Sequence, residues 1–357
     1  MSDEVHTISR RKEFITISDE LRTYMKHYGR LEALPALYCD LQSFMSAYPL
    51  MDKEGKGTLW DTVVYERSQL KELWPRLTSI YSLLKTGDLK AVPHLYVERV
   101  DFCGFGNSKP FRIRVVNQYN DNYDHFYIKV ADASRVYGLE LEHLLSPNRI
   151  NYLVHEETLI EEHIAGIPGD VFISDYFEKP DVNRVRVAKE FVKFSERCFI
   201  RLLGDMRSYN YVIDMTPDFE ETQYRVRAID FDQQSYEGSK SIYLPQFHKE
   251  NLPVVKLCTK YLNYATMQQY QQEERSLIAR RFLAEKPRLR ALFRCMKHHP
   301  AEPPAKVIQL KKELGEYHGT SCFDDCGSMG DIVEKHIEYM LAKQLGELGA
   351  GKTTVAP

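Results

Sequence analysis

The sequence predicts an α+β chain built as two lobes: an antiparallel five-stranded sheet, then a mainly helical lobe, with a helical extension in front. Three observations carry this. Apolar residues recur at helical spacing through the first 90 residues and again after residue 180. From residue 92 to residue 160 the period shortens to strand-like alternation. Gly166-Ile167-Pro168-Gly169 then separates the strand-rich stretch from the helix-rich one. The expected segments are 1–90 for the extension, 91–166 for the sheet lobe, 167–300 for the helical lobe, 301–348 for a C-terminal helical piece and 349–357 for a disordered tail.

In the extension, Ser18-Asp19-Glu20-Leu21 reads as a helix start, with Leu21, Tyr24 and Met25 at helical spacing. A second helix is expected from Pro35 to Tyr48, and Met51 to Gly57 reads as a polar turn. A long amphipathic segment runs from Leu59 to Leu84, with Leu70, Leu73, Leu77, Ile80 and Leu84 on one stripe, and Lys85-Thr86-Gly87-Asp88 ends it. Such an extension either packs on the rest of the chain or binds a protein partner.

The strands expected next are His94–Val100, Phe111–Val116 and His125–Val130, the last two joined by the polar turn Asn117–Asp124. A short helix, Tyr137–Leu145, stops at Ser146-Pro147-Asn148, and Ile150–Val154 and Glu157–Ile160 complete the sheet. Beyond the glycine–proline break, Asp181–Leu203 is a long helix whose buried stripe is Val187, Phe191, Phe194, Cys198 and Leu202. A short strand, Tyr211–Ile213, pairs with a second one from Val226 to Phe231. Helices dominate 252–297, Pro300–Pro304 is a linker, and Ile332–Leu345 is a last amphipathic helix. A sheet lobe joined by a single crossover to a helical lobe leaves a cleft suited to a nucleotide.

Composition bounds the function. The 357 residues suffice for roughly two domains of about 150 residues, and 43% apolar with 28% charged content is that of an ordinary globular chain. The net charge of −3 supplies no basic field for nucleic acid or an anionic membrane. The 23 Tyr and 17 Phe are spread along the chain, which favours core packing over a base-stacking platform. Seven cysteines, an odd count in a long chain, read as free thiols in a reducing compartment. Cys322 and Cys326 lack a second Cys/His pair at zinc spacing. No run approaches the roughly 18 apolar residues of a membrane span, and Met1–His6 lacks the regions of a secretory leader, so a cytoplasmic location is expected.

The chemistry concentrates in Leu203-Gly204-Asp205-Met206-Arg207-Ser208-Tyr209-Asn210 and, further on, Ile229-Asp230-Phe231-Asp232. Metal-assisted phosphoryl transfer needs one carboxylate to orient the attacking hydroxyl, and an amide and a second carboxylate to hold Mg²⁺ on the nucleotide phosphates. An Asp–Asn pair alone is weak, because such residues also cap their own loops. Its context strengthens it: a long helix before, a hairpin after, an upstream lysine, Lys129, among apolar strand neighbours, and Leu159-Ile160-Glu161-Glu162-His163-Ile164-Ala165-Gly166 leaving the sheet through a glycine.

On these residues, 92–297 resembles the protein-kinase-like superfamily, and within it the small-molecule branches such as aminoglycoside phosphotransferases and choline kinases. Those enzymes carry a Gly-Asp in the catalytic loop and an Ile-Asp-Phe/Trp-Asp/Glu metal strand, matched here by Gly204-Asp205 and Ile229–Asp232. The resemblance implies ATP and Mg²⁺ as cofactors, a catalytic base at Asp205, Mg²⁺ ligands at Asn210 and Asp230, and a further carboxylate at Asp232. It implies that Lys129 gathers the α/β-phosphates and pairs a helix glutamate, with Glu140 preferred and Glu142 or Glu156 left open. It implies an adenine-reading hinge at Glu162-His163-Ile164, and a glycine-rich turn over the phosphates at Gly104 and Gly106.

The chain also departs from the family. Leu203 stands where these families often have His, no Arg immediately precedes Asp205, no Ala-Pro-Glu-like motif follows Asp230, and Gln233–Leu252 is short. A conventional protein kinase is thereby disfavoured, and a hydroxyl-bearing small molecule is the expected acceptor. Alternatives are a pseudokinase or nucleotide-binding scaffold, and a kinase-fold nucleotidyltransferase. Gly346-Glu347-Leu348-Gly349-Ala350-Gly351-Lys352-Thr353 satisfies a P-loop pattern, but a helix rather than a strand precedes it, so it reads as accidental.

Overall fold

The computed structural model describes residues 12–350 except 53, 91, 106, 220 and 300–302. The chain is α+β and divides into two compact units. The first comprises the residues up to Ala133 together with Asn151–His163, and the second comprises Ser134–Ile150 together with the chain from Ile164 onward. The backbone therefore passes between units three times, not in the single crossover expected.

The first unit opens with α1 (Asp19–His27), capped by Ser18, whose hydroxyl accepts the Leu21 N–H, and burying Leu21, Tyr24 and Met25 as expected. The second helix is only one turn, α2 (Tyr38–Leu41). The next stretch is a hairpin, β1 (Ser46–Met51) and β2 (Gly57–Val64), where the sequence reading expected helix. Thr58, Thr62, Val63 and Val64 are β-branched and sit more easily on a pleated surface than in a helix. The turn falls where expected. Asp52 Oδ1 accepts the N–H groups of Glu54 and Lys56, and Gly55 takes a φ of +78°.

Helix α3 (Arg67–Thr86) follows, stopped by Gly87 at φ +76°, and buries Leu73, Leu77, Ile80 and Leu84 on the predicted stripe. The chain continues as β3 (Leu95–Phe102), β4 (Phe111–Asn117) and β5 (Tyr123–Val130). It crosses to the second unit for α4 (Ala133–Leu145) and returns for β6 (Tyr152–His155) and β7 (Thr158–Glu162). The strands form one antiparallel seven-stranded sheet in the order β1-β2-β3-β4-β5-β7-β6. The segment expected to be a separate extension thus supplies two of the seven strands. The stripe of α3 is spent on this unit's own core, with Val97, Val100, Phe111, Ile113, Phe126, Ile128 and Ile160. Each such fully buried side chain contributes roughly 1.5–3 kcal/mol.

The second unit contains a three-stranded sheet ordered β10-β9-β8, from β8 (Ile167–Pro168), β9 (Tyr211–Thr216) and β10 (Gln223–Ala228). A single helical turn, α5 (Gly169–Val171), leads toward the long helix α6 (Arg184–Arg201). Asn183 caps α6 by accepting the Arg186 N–H, and the buried face includes Val187, Phe191, Phe194 and Cys198 as predicted. Then come α7 (Leu252–Tyr261), α8 (Tyr264–Ala284) and α9 (Lys286–His298), followed by α10 (Pro304–His318), where a linker and a helical piece had been expected to meet, and α11 (Met329–Ala350). Residues 351–357 of the expected tail, with the end of the P-loop-like pattern, lie outside the described residues. No helix among the described residues is long and apolar enough to cross a membrane.

Buried ion pairs place α4 with the second unit. Glu140, fully buried, takes a two-pronged bond from Arg288 of α9, with Nη2–Oε distances of 2.7 and 3.0 Å. Glu142 pairs Arg201 of α6, and Arg281 of α8 donates to the carbonyl groups of His143 and Leu144 at 3.0 and 3.1 Å. Breaking one such buried pair by removing a single partner costs about 3–5 kcal/mol.

Candidate active site

The loop after α6 is held in an uncommon conformation. Leu202, which ends the helix, has φ +53°, and Asp205 has φ +58°. Left-handed backbone costs a non-glycine residue on the order of 1–3 kcal/mol and persists where the surroundings enforce it. Here they do. Asp205 N–H donates to Ile242 O at 3.0 Å, Gly204 N–H to Gln233 O at 3.1 Å, and Ser235 N–H to Leu202 O at 2.8 Å. Gln234 Nε2 reaches Arg201 O at 2.6 Å, and Asn251 Nδ2 reaches Met206 O at 2.8 Å.

Asn210 closes the loop from inside. It ends a 3₁₀ turn, Ser208–Asn210, and its Nδ2 donates to Asp205 O at 2.7 Å. An amide whose nitrogen is committed in this way turns Oδ1 to the other side, leaving an oxygen of the kind Mg²⁺ prefers. Asn210 O accepts the Ile229 N–H at 3.0 Å, which sets the Asp230 segment beside the Asp205 loop. The Asp205 loop, Asn210 and the Asp230 segment, predicted together from sequence, are thus linked within one unit by one side-chain and one backbone hydrogen bond.

Two details differ from the sequence reading. The strand expected to run to Phe231 ends at Ala228, so Asp230 and Asp232 lie in a loop. Arg135, in the first turn of α4, reaches both carboxylates: Nη1 lies 2.7 Å from Asp230 Oδ1 and 2.9 Å from Asp232 Oδ1. The Asp232 N–H also donates to Asp230 Oδ1, at 3.2 Å. The Arg135 side chain is 2% exposed and that of Asp230 is 34% exposed, so the guanidinium backs the carboxylate from the buried side.

Asp205 carries its own cation. Arg207 Nε donates to Asp205 Oδ1 at 2.8 Å, and the Arg207 N–H to Asp205 O at 2.9 Å. Burial works against the Arg207 charge, but Asp205, Tyr209 and Glu250 outweigh it and raise its pKa. Burial lowers the pKa of nearby His248 against the pull of Asp205, so its ring is neutral at pH 7. Its Nε2 faces Ile242 O at 3.2 Å.

In the first unit, Lys129 on β5 is buried and donates from Nζ to Glu161 Oε2 on β7 at 2.8 Å. The register explains this choice. Lys129 lies opposite Leu159 and Tyr127 opposite Glu161, so Glu161 is the diagonal neighbour of Lys129 on one face of the sheet. Glu140, the preferred partner in the sequence reading, is occupied by Arg288, and Glu142 by Arg201. Glu156 sits in the β6–β7 turn with φ +51°.

The hinge residues divide. Glu162 belongs to the first unit, where its N–H donates to Asn151 O at 3.1 Å and its Oε1 accepts the Asn151 N–H at 2.7 Å. Ile164, buried, belongs to the second unit, so the chain passes between units at the predicted segment. Gly104 lies exposed in the β3–β4 connection, where a Cβ would meet Phe102 at 3.5 Å, an ordinary contact distance. Gly106 lies outside the described residues.

The sequence reading missed Arg135, Arg207 and Glu161. Arg207 follows Asp205 at a two-residue interval and was legible in principle. Glu161 needed the strand register, and Arg135 needed the packing of α4.

The donors at Asn210 and Asp230 are oxygens, which suits Mg²⁺ rather than a soft metal. Among the described residues, no group of three or more His, Cys, Asp or Glu side chains could hold a metal by itself. Comparison with known proteins returned no matching family model and no matching curated protein.

Proposed function

We propose that this chain is an ATP- and Mg²⁺-dependent phosphotransferase of protein-kinase-like, two-lobed fold, acting on a hydroxyl acceptor, more naturally a small molecule than a protein. The observation that carries the reading is that Asn210 hydrogen-bonds both to the strained Asp205 loop and to the segment that carries Asp230.

In this reading Mg²⁺, when bound, neutralises charge on the nucleotide phosphates, and Asn210 Oδ1 and Asp230 are the residues that hold it. Lys129 carries the charge that gathers the phosphates, and Glu161 fixes its ammonium. Asp205 accepts the acceptor's hydroxyl proton as that oxygen bonds to the γ-phosphorus. The bond from the γ-phosphorus to the β–γ bridging oxygen breaks, ADP leaves, and Asp205 returns the proton to solvent. Positioning and charge neutralisation supply most of the acceleration. Arg207 aligns the Asp205 carboxylate.

The test is a fluorescent-ATP titration of the full chain with Mg²⁺, followed by an ADP-release screen over alcohol acceptors. Asp205→Ala is expected to lower turnover about 10²–10⁴-fold while nucleotide affinity holds. Normal turnover in that variant removes the mechanism.

Arg135 on Asp230 and Asp232, together with Leu203 before Gly204-Asp205, favours a second reading, a nucleotide-binding scaffold. Nucleotide binding without turnover on any acceptor selects it. A product heavier by a nucleotidyl group instead of a phosphoryl group selects the nucleotidyltransferase.

A further inference from the structure

The first turn of α4 is built against the Asp230 loop. Ser134 Oγ lies 3.0 Å from both Asp232 O and Gln234 O. At Gly138 a Cβ would come within 2.9 Å of Phe231 Cβ and 3.1 Å of Phe231 O, so only glycine lets the helix sit this close. The close approach delivers Arg135 Nη1 to two carboxylates at 2.7 and 2.9 Å, with the Arg135 side chain 2% exposed. The third charged group of the cluster, Asp232, is 10% exposed at its side chain.

The guanidinium offsets part of the negative charge that the two carboxylates turn toward the exposed side of Asp230. A divalent cation is attracted correspondingly less, and partial burial amplifies the difference. A cation that arrives on a triphosphate brings further oxygen ligands and depends less on the protein's charge.

We infer that Arg135 is a positioning residue that holds Asp230 and Asp232 in a fixed arrangement and sets the cation affinity of the site, so that a divalent ion is taken up with the nucleotide and not before it. The inference deepens the phosphotransferase reading and rests on it for the nucleotide.

The probe is Mn²⁺, titrated by electron paramagnetic resonance into the full chain with no nucleotide present. Arg135→Gln is expected to bind Mn²⁺ at least about tenfold more tightly than the unmodified protein. Asp230→Asn added to Arg135→Gln abolishes that gain. Arg135→Lys, which keeps the charge, stays within about threefold of the unmodified protein. Unchanged Mn²⁺ affinity in folded Arg135→Gln overturns the inference. So does failure of both Arg135 variants to fold by circular dichroism, which makes the arginine a purely structural ion pair. The fluorescent-ATP titration is read separately. If the unmodified protein binds no nucleotide, the phosphotransferase reading falls, while the Mn²⁺ comparison still judges Arg135.

Discussion

Lys129 Nζ and Glu161 Oε2 lie 2.8 Å apart on neighbouring strands, both side chains buried. Because both partners stand on one sheet, the pair is set by strand register. Lys129→Met would leave a buried carboxylate without this cation, at a cost of about 3 kcal/mol in urea unfolding. Adding Glu161→Gln restores most of the loss. Equal destabilisation in the single and double variants would show that the two side chains are not energetically coupled.

Arg207 is the cation on the Asp205 carboxylate, and its side chain is 42% exposed. Arg207→Ala is therefore expected to change thermal stability little while lowering ADP release about 10–100-fold. The Asp205 loop keeps its backbone bonds to Ile242 and Asn210 in this variant. A large fall in melting temperature would instead assign Arg207 to folding.

Burial separates ion pairs that matter for stability from those that do not. Arg201 and Glu142 have side chains 2% and 6% exposed, whereas Lys312 and Glu316, an i,i+4 pair on α10, are 74% and 67% exposed. Glu142→Ala is expected to cost about 3–5 kcal/mol, and Glu316→Ala no more than about 0.5 kcal/mol. Denaturant unfolding of the two variants side by side checks the contrast, and comparable losses would refute it.

His336 is fully buried. Its Nδ1 faces Ile200 O at 3.2 Å and its Nε2 faces His318 Nε2 at 3.1 Å. Burial pushes the pKa of His336 down to about 3, with His318 adding to the effect, and burial pushes His318 down to about 4. Both rings are neutral in the folded protein, while the unfolded chain takes up protons below its ordinary histidine value. Stability is thus complete above pH 6.5 and falls as the pH drops from there toward 4. His336 alone contributes about 1.4 kcal/mol per pH unit across that interval. Urea unfolding at pH 7, 6 and 5 should show this slope in the native protein and a shallower one in His336→Phe. Identical slopes would reject the assignment.

None of the seven cysteines is in a disulfide, and Cys39 is exposed. Burial raises the thiols of Cys198 and Cys258 to about 12 and that of Cys326 to about 11. A thiol reagent at pH 8 is expected to label Cys39 first and these three only on unfolding. Rapid labelling of Cys198 in the native protein would contradict its placement in the core of the second unit.

Local pattern carried much of this structure. The stripe of α3, the three meander strands, the face of α6 and the capped start of α1 follow from residue spacing, because each depends on neighbours a few positions apart. The Asp205–Asn210 and Asp230–Asp232 motifs were legible for the same reason. The β1–β2 hairpin was not, since Leu59 and Trp60 extend the apolar spacing of α3 and hide the β-branched run that follows.

The sequence by itself determined where the Asp205–Asn210 and Asp230–Asp232 clusters lie along the chain and where most helices and strands begin. Only tertiary structure decided that β1 and β2 join the large sheet, that α4 sides with the second unit, and that Glu161 meets Lys129. It alone also put Arg135 against a carboxylate 95 positions away in the chain. The physical reason is range: periodicity and caps record contacts within a turn or a pleat, whereas a buried charge must find its counter-charge wherever packing places one.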